Sequence, residues 1–131
     1  MPTEIRGSVF ERSTATLLAR VVGNDDSRVQ QADISSAVYS VYLIDEDDED
    51  TLTVIEGHDG VALTVADLIY DTLQEDDLWG DKDETGYNFR HTVDISANQA
   101  FEFVGRAYRV EFTLTPTSGQ IITVRFRLDC K

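Results

Sequence analysis

From Tyr87 onward the chain alternates. In YNFRHTVDI, the residues Tyr87, Phe89, His91, Val93 and Ile95 fall on one side of an extended backbone, and Asn88, Arg90, Thr92 and Asp94 fall on the other. AYRVEFTLT repeats the scheme with Tyr108, Val110, Phe112 and Leu114 inward. QIITVRFRLDC does so again with Ile122, Val124, Phe126, Leu128 and Cys130. A helix returns its side chains every 3.6 residues and cannot bury such a set on one face, whereas a strand with one side against a core does. Between the last two segments, PTSG closed by Gly119 reads as a hairpin turn.

The upstream segments are read in the same way. TATLLARVV places Ala15, Leu17, Ala19 and Val21 on one face, and GNDDS ends it. SAVYSVYLI is apolar on both faces, as expected of a central strand or one joining two layers. TLTVIE is a short strand, after which GHDG, with its Asp59-Gly60 pair, is expected to turn the chain back. LTVADLIYDTL is mixed. Val65, Leu68, Ile69, Thr72 and Leu73 fit helical spacing, and Thr64 with Asp67 resembles a capping box, but LIYDTL is rich in strand formers. The expectation is at most a short helical turn near 64–69 and a strand through Leu73. Together these segments predict an all-β fold: a two-sheet antiparallel immunoglobulin-like sandwich of about seven strands, in one domain spanning 1–131.

A length of 131 residues and a hydrophobic fraction of 41% suffice for a core without disulfides. A net charge of −14 argues against nucleic acid, which needs clustered Lys and Arg. No apolar run is long enough to cross a bilayer as a helix, so membrane insertion is not expected. MPTEIRGSVF lacks the layout of a secretory signal, and the single cysteine, Cys130, is compatible with a reducing compartment.

The charge is concentrated. Asp45 to Asp50 are consecutive carboxylates, and EDDLWGDKDET adds Glu75, Asp76, Asp77, Asp81, Asp83 and Glu84. Counting strand reversals puts both runs, and PTSG, at one pole of the sandwich. Like charges gathered there repel unless salt or a cation screens them. Calcium takes six to eight oxygen ligands in flexible geometry, which makes Asp45, Asp47, Asp76 and Asp77 the candidate ligands. The first run lacks EF-hand spacing and continues straight into a strand. Trp79, inside the second run, is either an exposed aromatic anchor for sugar or protein or, with Leu78, a plug for the open end of the sandwich.

Catalytic signals are sparse. His58 lies in a turn that explains it, and His91 falls on an inward face, where a buried, hydrogen-bonded ring is expected. There is no nucleophile elbow, metalloprotease helix, P-loop or dinucleotide fingerprint. Paired carboxylates on a sandwich can hydrolyse glycosides, but no organised cleft is signalled, so an enzyme is not expected.

GRAYRVEFTLTPTSGQIITVRF has the Gly-x-x-Tyr-x-Val-x-Phe layout with which many immunoglobulin-like and fibronectin-like domains enter their penultimate strand. That resemblance implies a tyrosine corner at Tyr108, its hydroxyl bonded to nearby backbone. The Cys…Trp…Cys hallmark of antibody domains is absent. More narrowly, GYNFRHTV followed by GRAYRVEFTLTPTSG resembles small β-sandwich proteins encoded in phage and phage-like genome regions, similar to accessory modules of tails and baseplates. The resemblance spans roughly residues 60 to 130. It implies a structural or adhesive module. With the acidic runs, the absent signal layout and the single cysteine, the expectation is a non-enzymatic structural or binding module that acts through strand edges and an acidic pole, with a protein partner or self-assembly, in a virion or the cytoplasm. The alternative is a calcium-dependent carbohydrate- or surface-binding module that uses the acidic loops and Trp79 on a glycan.

Overall fold

The computed structural model describes residues 4–21, 29–48, 50–74, 87–96, 98–118 and 120–131, without the side chains of Glu4 and Leu73. Its strands are β1 (Glu4–Val9), β2 (Thr16–Ala19), β3 (Ile34–Ile44), β4 (Leu52–Val54), β5 (Val61–Leu63), β6 (Ile69–Gln74), β7 (Tyr87–Thr92), β8 (Ala107–Pro116) and β9 (Ile122–Cys130). A 3-10 turn, Gln31–Asp33, precedes β3, and a single helical turn, α1 (Val65–Leu68), precedes β6. One sheet has the order β1-β9-β8-β3, with β4 and β5 both on the outer edge of β3, and the other has the order β2-β7-β6.

This is the expected two-sheet sandwich. The β2-β7-β6 and β3-β8-β9 groups occupy the places of the BED and CFG strands of an immunoglobulin-like domain. The turn and strand expected across 64–73 are both present, although Thr64 forms no side-chain cap. The two strands beyond the expected seven are β1 and β5. Each is hard to read locally, since β1 is interrupted by Gly7 and pairs in parallel with the distant β9, and β5 has only three residues.

Alternation sets the core. Tyr108, Val110, Phe112 and Leu114 of β8 are fully buried, as are Phe89 of β7 and Val93 just beyond it. Phe112 is the centre, its ring 4.8 Å from Phe89, 5.8 Å from Phe126 and 5.9 Å from Tyr39, so it ties the sheets together through edge-on and tilted contacts. One outward assignment fails: Asn88 is fully buried. Its Oδ1 accepts from Val21 N at 2.7 Å, and its Nδ2 donates to the carbonyls of Val21 and Val29, both at 2.9 Å. The amide replaces a strand partner where β2 has ended, bonding buried backbone groups there, and Val21 O also accepts from Val29 N at 3.0 Å.

GHDG does not reverse the chain. Tyr42 pairs with Val54, and Tyr39 pairs with Val61, so β4 and β5 run in the same direction along β3. Residues 55–60 bulge out between them and stay anchored, because Val41 O accepts from Ile55 N and Val41 N donates to His58 O, both at 2.8 Å. One expected reversal is thereby lost, and with it the single pole. Leu43 pairs with Tyr108 whereas Ile34 pairs with Pro116, so the β8–β9 turn lies at the opposite end of the sandwich from Asp45. The second acidic run, 75–86, is outside the described residues. Gln74 and Tyr87, which bracket it, pair with each other.

Candidate interaction surface

The acidic turn is built by its own carboxylates. Asp45 Oδ1 accepts from Asp47 N at 2.8 Å and Asp48 N at 3.1 Å. Asp48 accepts from Asp50 N through Oδ1 and from the Thr51 hydroxyl through Oδ2. Short acidic side chains that bond backbone two or three residues on are the ordinary means of tightening such turns. Asp45 N then donates to Thr51 O at 3.0 Å and closes the loop. Glu46 reaches across to Arg106 Nε at 3.0 Å, and the same guanidinium donates to Ile44 O, so the turn is fixed to the segment that leads into β8.

That segment presents apolar side chains beside the acids. Tyr108 lies in the core with its hydroxyl accepting from Phe103 N at 2.9 Å, the backbone bond expected of a tyrosine corner. Two positions on, Val110 fills the place of the second antibody cysteine and is itself fully buried. The corner fixes the backbone at Phe103 while its ring points out. Phe103 is 53% exposed and Val104 56%. Val54, Ile55 and Glu56 face Asn98 to Ala100 and Phe103 across a shallow groove of about 250 Å³. Phe10, 72% exposed, follows β1 at the same end, where Val9 pairs with Cys130 and Gly105 N bonds Cys130 O.

Both histidines lie beside Tyr39, with ring centroids 5.9 Å (His58) and 5.1 Å (His91) from it. His58, carried inward by the bulge, is 2% exposed. Its Nε2 donates to Asn98 O at 2.8 Å, and in the neutral ring Nδ1 accepts from the Tyr39 hydroxyl at 2.7 Å. His91 is half-buried, with its ring edge-on to Phe112 at 5.4 Å, and its Nε2 lies buried with no hydrogen-bond partner. Burial pushes its pKa below the usual histidine value. The hydrogen-bonded core histidine is therefore His58, whose turn position had explained it away, and His91 is a packing ring. Burial likewise raises the pKa of the Cys130 thiol, which favours its unreactive protonated form.

Among the described residues, no three His, Cys, Asp or Glu side chains gather as a metal site requires. Of the proposed calcium ligands, Asp45 is engaged in the turn and Asp47 lies on its exposed tip; Asp76 and Asp77 lie outside the described residues, as does Trp79. What the sequence reading missed is the apolar half of this end. Phe103 and Val104 precede a strand and carry no periodic signal, but their place just before the Gly105–Tyr108 corner marks them as loop residues. No helix among the described residues is long and apolar enough to cross a membrane. No family model, no curated protein and no solved structure matches the chain.

Proposed function

We propose that this chain is a non-enzymatic structural or binding module, of the kind carried on phage-type particles, that docks through the acidic end of its sandwich and through strand edges. One observation carries the reading. Of the large hydrophobic side chains exposed among the described residues, Phe10, Val54, Phe103 and Val104 surround the acidic end, and Ile121 alone lies at the other. Scattered apolar residues need no explanation, but a group gathered at one end and rimmed by charge is the usual form of an interaction surface. The resemblance of the 86–119 segments to phage modules attaches it to that setting.

The test separates docking from packing. Phe10, Phe103 and Val104 are replaced together by Ser, and the variant is compared with the parent by thermal melting and by light scattering over a concentration series. Docking residues leave the melting temperature unchanged while assembly at high concentration weakens. A variant that melts several degrees lower, with assembly unchanged, would show these side chains to be structural and would remove the basis of the reading.

A further inference from the structure

The groove between residues 54–56 and residues 98–103 is one-sided in charge. At about 250 Å³ it falls below the usual range of small-molecule pockets, roughly 300–1,000 Å³, and suits one long side chain. Val54, Ile55 and the exposed ring of Phe103 line it, and Glu56, Gln99 and Glu102 stand among them. Among the described residues, no lysine, arginine or histidine lines it. Both carboxylates are exposed, and neither has an ion-pair partner among the described residues. Arg106, which follows on the same segment, is turned to Glu46 and to Ile44 O.

Gln99 adds a second mark. Its side chain is half-buried, and its Oε1 is closed off from solvent without a hydrogen-bond partner. An amide oxygen left in that state is costly, and its remedy is a donor. The terminal torsion of a glutamine is soft, so a donor entering the groove can draw that oxygen toward it.

The walls are fixed before anything enters. His58 Nε2 bonds Asn98 O at 2.8 Å, and Phe103 N donates to the Tyr108 hydroxyl at 2.9 Å. Arg12 N donates to Phe101 O at 2.6 Å, and Ile55 N to Val41 O at 2.8 Å. A cleft already in shape spares its ligand the cost of ordering the protein.

An aromatic ring, two carboxylates and an unbonded amide oxygen thus share one narrow groove. An ammonium group would answer the charge alone. A guanidinium answers all three, because its face stacks on a ring while its fork of N–H groups meets several acceptors at once. We propose that this groove is the receptor for one arginine side chain of a protein partner, with the methylene stem against Val54 and Ile55, the guanidinium plane on Phe103 and its N–H groups toward Glu56, Glu102 and Gln99 Oε1. This rests on the module reading above and names the chemistry of the partner. The net charge of −14 draws a basic partner in from a distance, and the groove then selects the arginine.

The probe is N-acetyl-arginine N-methylamide, titrated into the whole isotope-labelled chain and followed by NMR through the backbone amide signals. Those of 54–56 and 98–103 should shift together and saturate. The citrulline analogue, which keeps the shape and lacks the charge, should bind at least about tenfold more weakly, as loss of a charged hydrogen-bond donor predicts. The lysine analogue should also bind more weakly. E56Q/E102Q should weaken the arginine probe by at least about tenfold on the same ground while melting with the parent. If that variant melts lower, the citrulline comparison on the parent chain decides alone. Shifts that never saturate, that centre on the turn at 45–50, or that the citrulline or lysine analogue reproduces at equal concentration overturn the proposal. If they do so while the Ser replacements at Phe10, Phe103 and Val104 still weaken assembly, the module reading stands and the arginine receptor alone is lost.

Discussion

His58 and His91 flank the same tyrosine from two different regions of the chain, and they are held in opposite ways. His58 comes from an irregular six-residue bulge and has both ring nitrogens bonded inside the fold. His91 comes from the regular strand β7 and lies among aromatic rings with Nε2 unbonded. Regular alternation aims a side chain inward without arranging partners for it. The bulge, being free of the ladder, was shaped around the ring: it bonds Val41 on either side and brings His58 to both the Tyr39 hydroxyl and the Asn98 carbonyl.

Breaking the bulge should have the largest effect. His58→Ala strands the Tyr39 hydroxyl and the Asn98 carbonyl and opens a cavity; the expected loss is about 3 kcal/mol, seen as a fall of roughly 10 °C in melting temperature. Gly57→Ala comes next, at about 2 kcal/mol. Gly57 has φ +84°, and a Cβ there would sit 2.4 Å from the Asn98 side chain, so backbone strain and collision disturb the carbonyl that holds His58. Equal losses at His58 and His91 would erase the contrast. Tyr108→Phe, which keeps the ring and removes the bond to Phe103 N, should lower stability by about 1 kcal/mol.

His91→Phe sharpens the comparison through pH. Because burial lowers the folded-state pKa of His91 below 6.5, the unfolded chain binds its proton first as pH falls. The stability present above about pH 6.5 is therefore lost progressively below it, down to the lowered folded value. His91→Phe should lie within about 1 kcal/mol of the parent at pH 7.5 and lose stability less steeply between pH 6.5 and 5. An unchanged acid slope would mean that the ring is not excluded from water. The smallest expected effect concerns cations. With Asp45 and Asp48 already accepting from the turn's own N–H groups, calcium and magnesium should raise the melting temperature equally, as screening does. A calcium-selective rise would restore the metal-site reading.

What could be read from the sequence follows from how far each feature reaches. The β8–β9 hairpin was legible because adjacent strands joined by a short turn carry their pattern locally, and every inward assignment on β8 was borne out. The helical turn and strand at 64–74 were legible from competing periodicities. Asn88 was not, since a single amide standing in for a strand gives the same letter as a solvent-facing residue. GHDG was misread because Asp59-Gly60 does bend the backbone, yet the bend serves a bulge, and only pairing with β3 distinguishes bulge from reversal. That one error displaced the loops and hid the union of acidic and apolar residues at one end. The parallel register of β1 with β9 was equally hidden, because it joins opposite ends of the sequence.

That register also determines how the domain bears load. β1 and β9 run in parallel through six register pairs from Glu4–Arg125 to Val9–Cys130, and Lys131 N then bonds Val9 O. Tension applied at Glu4 and at Lys131 would draw the two strands past each other along their length. Every rung of the ladder then resists together, instead of opening one at a time as in a peeled hairpin. A module strung in line between neighbours through its two termini would thus yield by shear, at high force and abruptly.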